Sequence, residues 1–593
     1  MTAARISPFG GMIPATDDTL LPEINAAWAE NTWVYQGTVQ GIPTPKVLRT
    51  NSSSNVTKVY RIPNNYTDVQ HLVDSVWMEF TNIDTDVVRS VVVDDTYDRY
   101  YWAAPSLTPR YNTRARIAAG SHDYILGVPQ PPKPTLNITG GASATQRSTA
   151  YVLTYVSAYG EEGPPSDPVN GTGKVDATWT LTWTAPDPND LGVNRNLTLV
   201  RVYRTVTALD GTTTYFFVDE KPIATVSHAD TKTDAVVSLN ELLSSTTWTA
   251  PPSDMVGIIS LSNGMLAGFR NNEVWFCEPY RPHAWPAQYT ITTEFPIVGL
   301  GVMGQTLVVL TQGYIHTATG ISPANISIVK LAGIMPCTSR GGILSAPEGV
   351  YFPSPAGLIL VSGAGVLNVT KELVRKDKWL EYAQTSTLRA VRLNNAYYGF
   401  GSARFGVFDV NAFDNAAFTQ EDFSGSRAGV LIDPTSNSIA FNILTSEDPI
   451  VNVMTDAWSG EVFIIRDGQT QWIDIGDANA VRDPYIWRSK IFQAENKKNF
   501  VAQKVYFKTP SWAPALNPVP NADLVQSLAA DQWGLVRCYA DGRLVHTREL
   551  RESGEQMRLP SGFKADYWQW EIEARVELKS FQAATTTDEL RQV

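Results

Sequence analysis

The chain has 593 residues, a formal net charge of −12, and 43% hydrophobic but only 18% charged side chains. That length implies several domains with enough apolar material for large cores. The acidic balance, without a dense Lys/Arg run, argues against a protein that grips nucleic acid by neutralising phosphates. No window approaches the roughly 18 apolar residues of a membrane-spanning helix.

Aromatic residues make up 10% of the chain, beside abundant Thr, Val, Asn and Gly, a mixture that favours strands over helices. Residues 1–45 are punctuated by Gly10, Gly11, Pro14, Pro22, Gly37, Gly41, Pro43 and Pro45. They leave room for one helix, over 20–33, with Asp17 or Asp18 as its N-cap. Strands are predicted at 56–62, 75–80, 86–93 and 99–102. The prolines of 128–134 form an extended linker that cannot join a sheet interior.

Residues 135–250 read as one small β-sandwich, with strands at 151–159, 178–183, 197–205 and 214–218. Leu209-Asp210-Gly211 supplies a hairpin turn between the last two. Short strands then follow over 253–480, at 265–270, 273–277, 306–311, 349–352, 358–362, 396–400, 406–410, 438–443 and 461–466. Hairpins repeating every 40–50 residues or so suggest propeller blades. One helix is predicted at 371–382, capped by Thr370 and burying Leu373, Val374 and Leu380. Strands return at 502–508, 534–540, 543–550 and 567–578, and the polar tail 585–593 is expected to be loosely held.

The expected fold class is therefore mostly β: a degenerate β-propeller-like core, an inserted sandwich and a C-terminal sandwich-like domain. The expected domains are 1–130, an N-terminal β-rich segment contributing to the propeller or platform; 131–252, the inserted sandwich; 253–484, the propeller-like region; and 485–593, the C-terminal domain.

Signals for chemistry are sparse. His71, His122, His228, His283, His316 and His546 show no close pairing of the kind that presents metal ligands. Asp94-Asp95 and Glu161-Glu162 are adjacent carboxylates, which in a strand point to opposite faces and suit acid–base work poorly; both read as solvated turn residues. There is no Gly-x-Ser-x-Gly elbow and no Gly-x-x-x-x-Gly-Lys-Ser/Thr loop. Cys277, Cys337 and Cys538 are far apart and are expected to be buried thiols in a reducing compartment. Residues 1–11 lack the apolar run of a secretory leader, so folding in the cytosol is expected and the Asn-x-Ser/Thr matches are attributed to chance. No catalytic, cofactor-binding or metal-binding residue is expected, and the chain is not expected to be an enzyme.

Two resemblances add to this reading. The string 154–166 (TYVSAYGEEGPPS) with 201–205 (RVYRT) resembles fibronectin type III domains. The opening Arg5-Ile6-Ser7-Pro8-Phe9-Gly10-Gly11-Met12-Ile13-Pro14, the run Tyr124-Ile125-Leu126-Gly127-Val128-Pro129 and the run Tyr280-Arg281-Pro282-His283-Ala284-Trp285-Pro286 resemble the tail nozzle, or tail tubular, proteins of short-tailed bacteriophages. That family implies a structural virion protein at the distal tail, made in the host cytoplasm. It forms a ring homo-oligomer, usually a hexamer, docks to tail adaptor proteins and neighbours tail fibres or spikes. It surrounds the channel through which double-stranded DNA leaves without specific binding. The alternative weighed against it is a peripheral receptor- or glycan-binding tail protein.

Overall fold

The computed structural model describes residues 3–207, 213–408, 423–433, 440–446, 450–477, 480–508 and 533–592. The architecture is mostly β, built as several discrete antiparallel sheets. The chain forms two compact units, one of Met1–Ser75, Glu79–Ile83 and Met335–Val593, the other of Val76–Met78 and Asp84–Ile334.

In the second unit, three four-stranded sheets each use strands that follow one another in the chain. The first contains Asp86–Arg89, Arg99–Ala104, Leu107–Thr113 and Tyr124–Ile125. The second contains Val256–Ser260, Leu266–Arg270, Glu273–Phe276 and Ile291–Thr292, and the third runs from Ile297–Met303 to Ser327–Lys330. Tyr101, Tyr111, Met255, Phe269, Trp285 and Val309 share their core. Between the first and second sheets the chain builds two more. Thr135–Thr139, Thr178–Thr182 and Ser227–Asp230 form a three-stranded sheet, while Val169–Lys174, Gln146–Ser157, Leu197–Thr207 and Thr213–Pro222 form a four-stranded one. Period-two alternation aims Tyr151, Leu153, Trp179, Leu181, Val200 and Val202 into one core common to both.

In the first unit, the strands from Leu344–Ala346 to Gly365–Asn368 make another four-stranded sheet. A further sheet holds Asn452–Thr455, Val462–Arg466 and Gln469–Ile473, and its fourth strand is Lys46–Thr50, from the opposite end of the sequence. A ten-stranded sheet likewise places Ala26–Glu30 between Ala440–Ser446 and Tyr485–Ser489. In a six-stranded sheet Ala3–Ile6 pairs with Glu577–Ala584.

Several expectations are corrected. No helix forms over 20–33, where Ala26–Glu30 and Thr32–Tyr35 are strands. Asp17 does accept from Thr19 N at 3.0 Å, but it closes a turn. The alanines fit a strand buried between two neighbours, with Ala29 opposite Trp487, and that pairing outweighs helix propensity. The other helix is Lys376–Ala383, shorter than predicted; it buries Trp379, Tyr382 and Ala383 and leaves Leu380 partly exposed. Thr370 is no cap: its hydroxyl accepts from Leu358 N at 3.0 Å. The strand predicted at 567–578 is two, Ala565–Ala574 and Glu577–Ala584. The tail forms a short helix, Glu589–Gln592, with Leu590 buried against Ala502 and Ala584. The Leu209-Asp210-Gly211 turn lies outside the described residues, as do parts of the predicted strands 406–410 and 438–443.

Candidate functional site

A buried charge must be paired or neutralised, so buried ion clusters mark the places where this β architecture holds something fixed or poised. One such cluster lies in the second unit. Arg99 opens strand Arg99–Ala104, and the turn before it supplies Asp95. The turn after Gln146–Ser157 supplies Glu161, and the loop after Glu273–Phe276 supplies His283. Arg99 donates through Nε to Asp95 Oδ2 at 2.8 Å and through Nη1 to Glu161 Oε1 at 2.6 Å. Ser157 Oγ donates to Glu161 Oε2 at 3.3 Å, and His283 Nδ1 lies 3.7 Å from Glu161 Oε1.

One guanidinium thus serves two carboxylates. Burial, reinforced by the Asp95 charge, pushes the Glu161 carboxyl above its ordinary value despite Arg99 and Ser157. Asp95 is also penalised by burial, but Arg99 and hydrogen bonds from Ser90 and Tyr97 hold it below the usual range. Burial, together with the Arg281 and Arg99 charges, pushes the His283 imidazole down to about 3, against a backbone hydrogen bond with Glu162.

Glu162 faces the other way. Its Oε1 accepts from Thr154 Oγ1 at 2.6 Å and Tyr203 OH at 2.9 Å, and Arg201 Nη1 donates to Oε2 at 3.1 Å. The reading of both acidic pairs as solvated turn residues is therefore corrected. Glu161 and Glu162 are 6% and 8% exposed, Asp95 is ion-paired, and only Asp94 is solvated. Aromatic rings frame the cluster. The Tyr97 and Tyr159 rings are 4.5 Å apart, Tyr111 lies 5.5 Å from Tyr124, and Arg281 sits 4.3 Å over Trp248. All four oxygens of Glu161 and Glu162 are engaged by cations or hydroxyls, an arrangement suited to clamping three chain segments together.

In the first unit Arg61 and Asp456 form a pair with both side chains almost wholly buried. Arg61 Nε and Nη2 donate to Asp456 Oδ2 at 3.1 and 2.6 Å, Nη2 to Val69 O at 2.6 Å, and Nη1 to Ser75 Oγ at 3.1 Å. A cavity of about 270 Å³ is lined by residues that include Ser339, Thr387, Arg389, Phe400 and Asn452. The Asn452 amide donates to Thr57 O at 2.9 Å, and Ser339 Oγ to Leu388 O at 2.6 Å.

His228, His283 and His316 are buried apart from one another, and among the described residues no group of three or more His, Cys, Asp or Glu is placed to hold a metal ion. The three cysteines are free and buried, and burial pushes each thiol up to about 12. Among the described residues no helix is long and apolar enough to cross a membrane.

The three sequence runs that carry the phage-tail resemblance sit in packed positions. Phe9 meets Trp487 edge-on at 4.9 Å, and Trp487 Nε1 donates to Gly10 O at 3.1 Å. Tyr124 and Leu126 lie in the core of the second unit, and Gly127 takes φ +91° where a Cβ would lie 2.6 Å from Ala250 Cβ. Trp285 is fully buried and donates through Nε1 to Pro282 O at 2.8 Å.

No family model matches the chain, and no curated protein matches it. Solved structures with some likeness include BBS1N in complex with ARL6DN, at 10% identity and TM-score 0.21, over 46% of this chain and 88% of that one. The N-terminal domain of Nup159 gives 9% and 0.22 over 46% and 85%, and YCF48 from Cyanidioschyzon merolae gives 12% and 0.21 over 42% and 91%. Likeness at that level carries no argument about function.

Proposed function

We propose that this chain is a structural subunit of a virus particle, one copy in the tail nozzle ring of a short-tailed bacteriophage, acting by shape and self-association. The observation that carries the reading is the succession of four-stranded antiparallel sheets in chain order, the last completed by Lys46–Thr50 from the N-terminal end. A strand from the other end of the chain that covers the open edge of the last sheet is a device by which propeller-like cores limit free edges. The three-stranded and four-stranded sheets over one core suit a fibronectin type III-like spacer, and the strands after residue 485 suit a C-terminal sandwich-like domain. The phage-tail motifs and the acidic balance suit a wall past which DNA slides.

A closed ring needs two different complementary patches on each subunit. In this reading six copies dock to the tail adaptor, with fibres or spikes as neighbours. Electron microscopy of the purified protein and of the particle carrying it is the test. A six-fold ring with an axial channel at the distal tail is the expected result. A monomer within the particle, or a trimer at the tail periphery, would overturn the nozzle reading, the trimer favouring a receptor- or glycan-binding role.

A further inference from the structure

We propose that the Arg99–Asp95–Glu161–His283 cluster is an acid-responsive latch that holds the 158–166 turn closed over the 278–286 loop and loosens when His283 takes up a proton. The geometry supplies both the catch and the trigger. The 135–243 layers enter the unit through the proline linker 128–134 and leave it through 244–252. Beside those linkers, the turn is held by the Glu161–Arg99 pair at 2.6 Å and by Tyr159, which packs 4.5 Å from Tyr97 and 6.2 Å from Tyr111. His283 is buried beneath this contact, and its Nε2 has no hydrogen-bond partner among the described residues.

The groups facing His283 come from each surrounding segment: Arg99 from its strand, Glu161 and Glu162 from the 158–166 turn, Arg281 from its own loop, and the Trp248 ring 5.9 Å away, with Asp95 and Tyr101 acting on Arg99 and Glu161 behind them. Two guanidiniums already serve this pocket, and the nearest carboxylate oxygen is taken by Arg99. A third cation is therefore poorly housed while the turn is closed, and His283 gains its proton on opening.

The signs follow from linkage. His283 has an ordinary value of 6.5 when exposed and about 3 when enclosed, so opening takes up a proton at any pH between those limits. Closure due to His283 is fully present above 6.5 and weakens by about tenfold for each pH unit below it. Glu161 opposes this. Its enclosed value is raised above its ordinary 4.5, so opening releases a proton there, and its contribution to closure grows as pH falls through that range. Asp95 is held below its ordinary 3.8 when closed and favours opening only in stronger acid. The window for the latch therefore runs from 6.5 down to the raised Glu161 range.

The test is hydrogen exchange of the full chain at pH 7.5 and 5.5, corrected for intrinsic rates. It reads peptides over 278–286, where Glu278 N donates to Ala284 O and Trp285 N to Thr249 O. Wild type is expected to lose about tenfold in protection at pH 5.5. His283→Gln, which cannot take the proton, is expected to show equal protection at both pH values. Glu161→Gln gives up the Arg99 ion pair together with the opposing carboxyl, so it is expected to lower protection at both pH values while keeping the pH response, which His283 supplies. Wild-type protection unchanged within twofold would overturn the proposal, as would a tenfold loss retained in His283→Gln or a flat response in Glu161→Gln. Should His283→Gln fail to fold, the wild-type and Glu161→Gln ratios decide the matter alone.

Discussion

Cutting the Arg61–Asp456 pair is the sharpest test of how the first unit is held. The Arg61 side chain is 0% exposed and Asp456 accepts from it twice, so Asp456→Ala leaves a buried guanidinium with neutral acceptors alone, Val69 O, Ser75 Oγ and the more distant His71 O. Breaking one side of such a pair costs about 3–5 kcal/mol. The same substitution also frees Ser459, whose N and Oγ donate to Asp456 Oδ2 at 2.9 and 2.6 Å, so the cost should sit toward the upper part of that range. Replacing both partners with apolar residues, Arg61→Met with Asp456→Leu, should recover at least half of the loss, because no isolated charge remains. A two-unit chain does not unfold in one step, so the measure is native-state hydrogen exchange of the Lys58–Pro63 amides. Asp456→Ala should accelerate it by a factor between about 10² and 10⁴. A loss below about 1 kcal/mol, or a double variant no better than the single, would refute the reasoning.

Three further outcomes are expected. Trp379→Phe removes the donor that reaches Ser354 O at 2.8 Å in a fully buried position, and should lower local stability by about 1–3 kcal/mol in native-state hydrogen exchange. Gly37→Ala should cost more than about 1 kcal/mol by the same measurement, since the residue takes φ +81° and a Cβ would lie 2.4 Å from Pro8 Cβ. Native protein at pH 8 should resist thiol-specific aromatic disulfides, because all three cysteines are buried with thiols near 12; complete labelling should follow only on unfolding.

Strand alternation made most of the β architecture legible in the sequence, because a half-buried strand writes its period directly into residue order. Runs such as Thr306–Thr311 and Gly534–Ala540 appear where the pattern places them. What local pattern does not carry is pairing between distant segments. Residues 20–33 have alanine and leucine enough for a helix, and only their partners near residues 443 and 487 make 26–30 a strand. Thr370 likewise looks like a cap because its hydroxyl bond to Leu358 N is invisible from neighbours. The buried cluster was hidden for the same reason. Glu161 and Glu162 sit in a Gly- and Pro-rich run that looks solvated, and their cations come from Arg99 and Arg201. The one available clue lay in the alternation rule itself, which sends adjacent carboxylates to different partners.

The pairing of Ala3–Ile6 with Phe581, Gln582, Ala583 and Ala584 sets an order of events during synthesis. Asn31 Nδ2 reaches Thr445 Oγ1 at 2.9 Å across 414 positions, and while Thr32–Tyr35 pairs locally with Thr38–Gly41, neither Ala3–Ile6 nor Ala26–Glu30 finds its strand partners until the ribosome has passed far downstream. The unit that includes Asp84–Ile334 needs no such wait. Ala3–Ile6, Ala26–Glu30 and Lys46–Thr50 therefore wait for their strand partners through most of translation, and a product that stops before residue 469 would leave Lys46–Thr50 free to pair with another molecule.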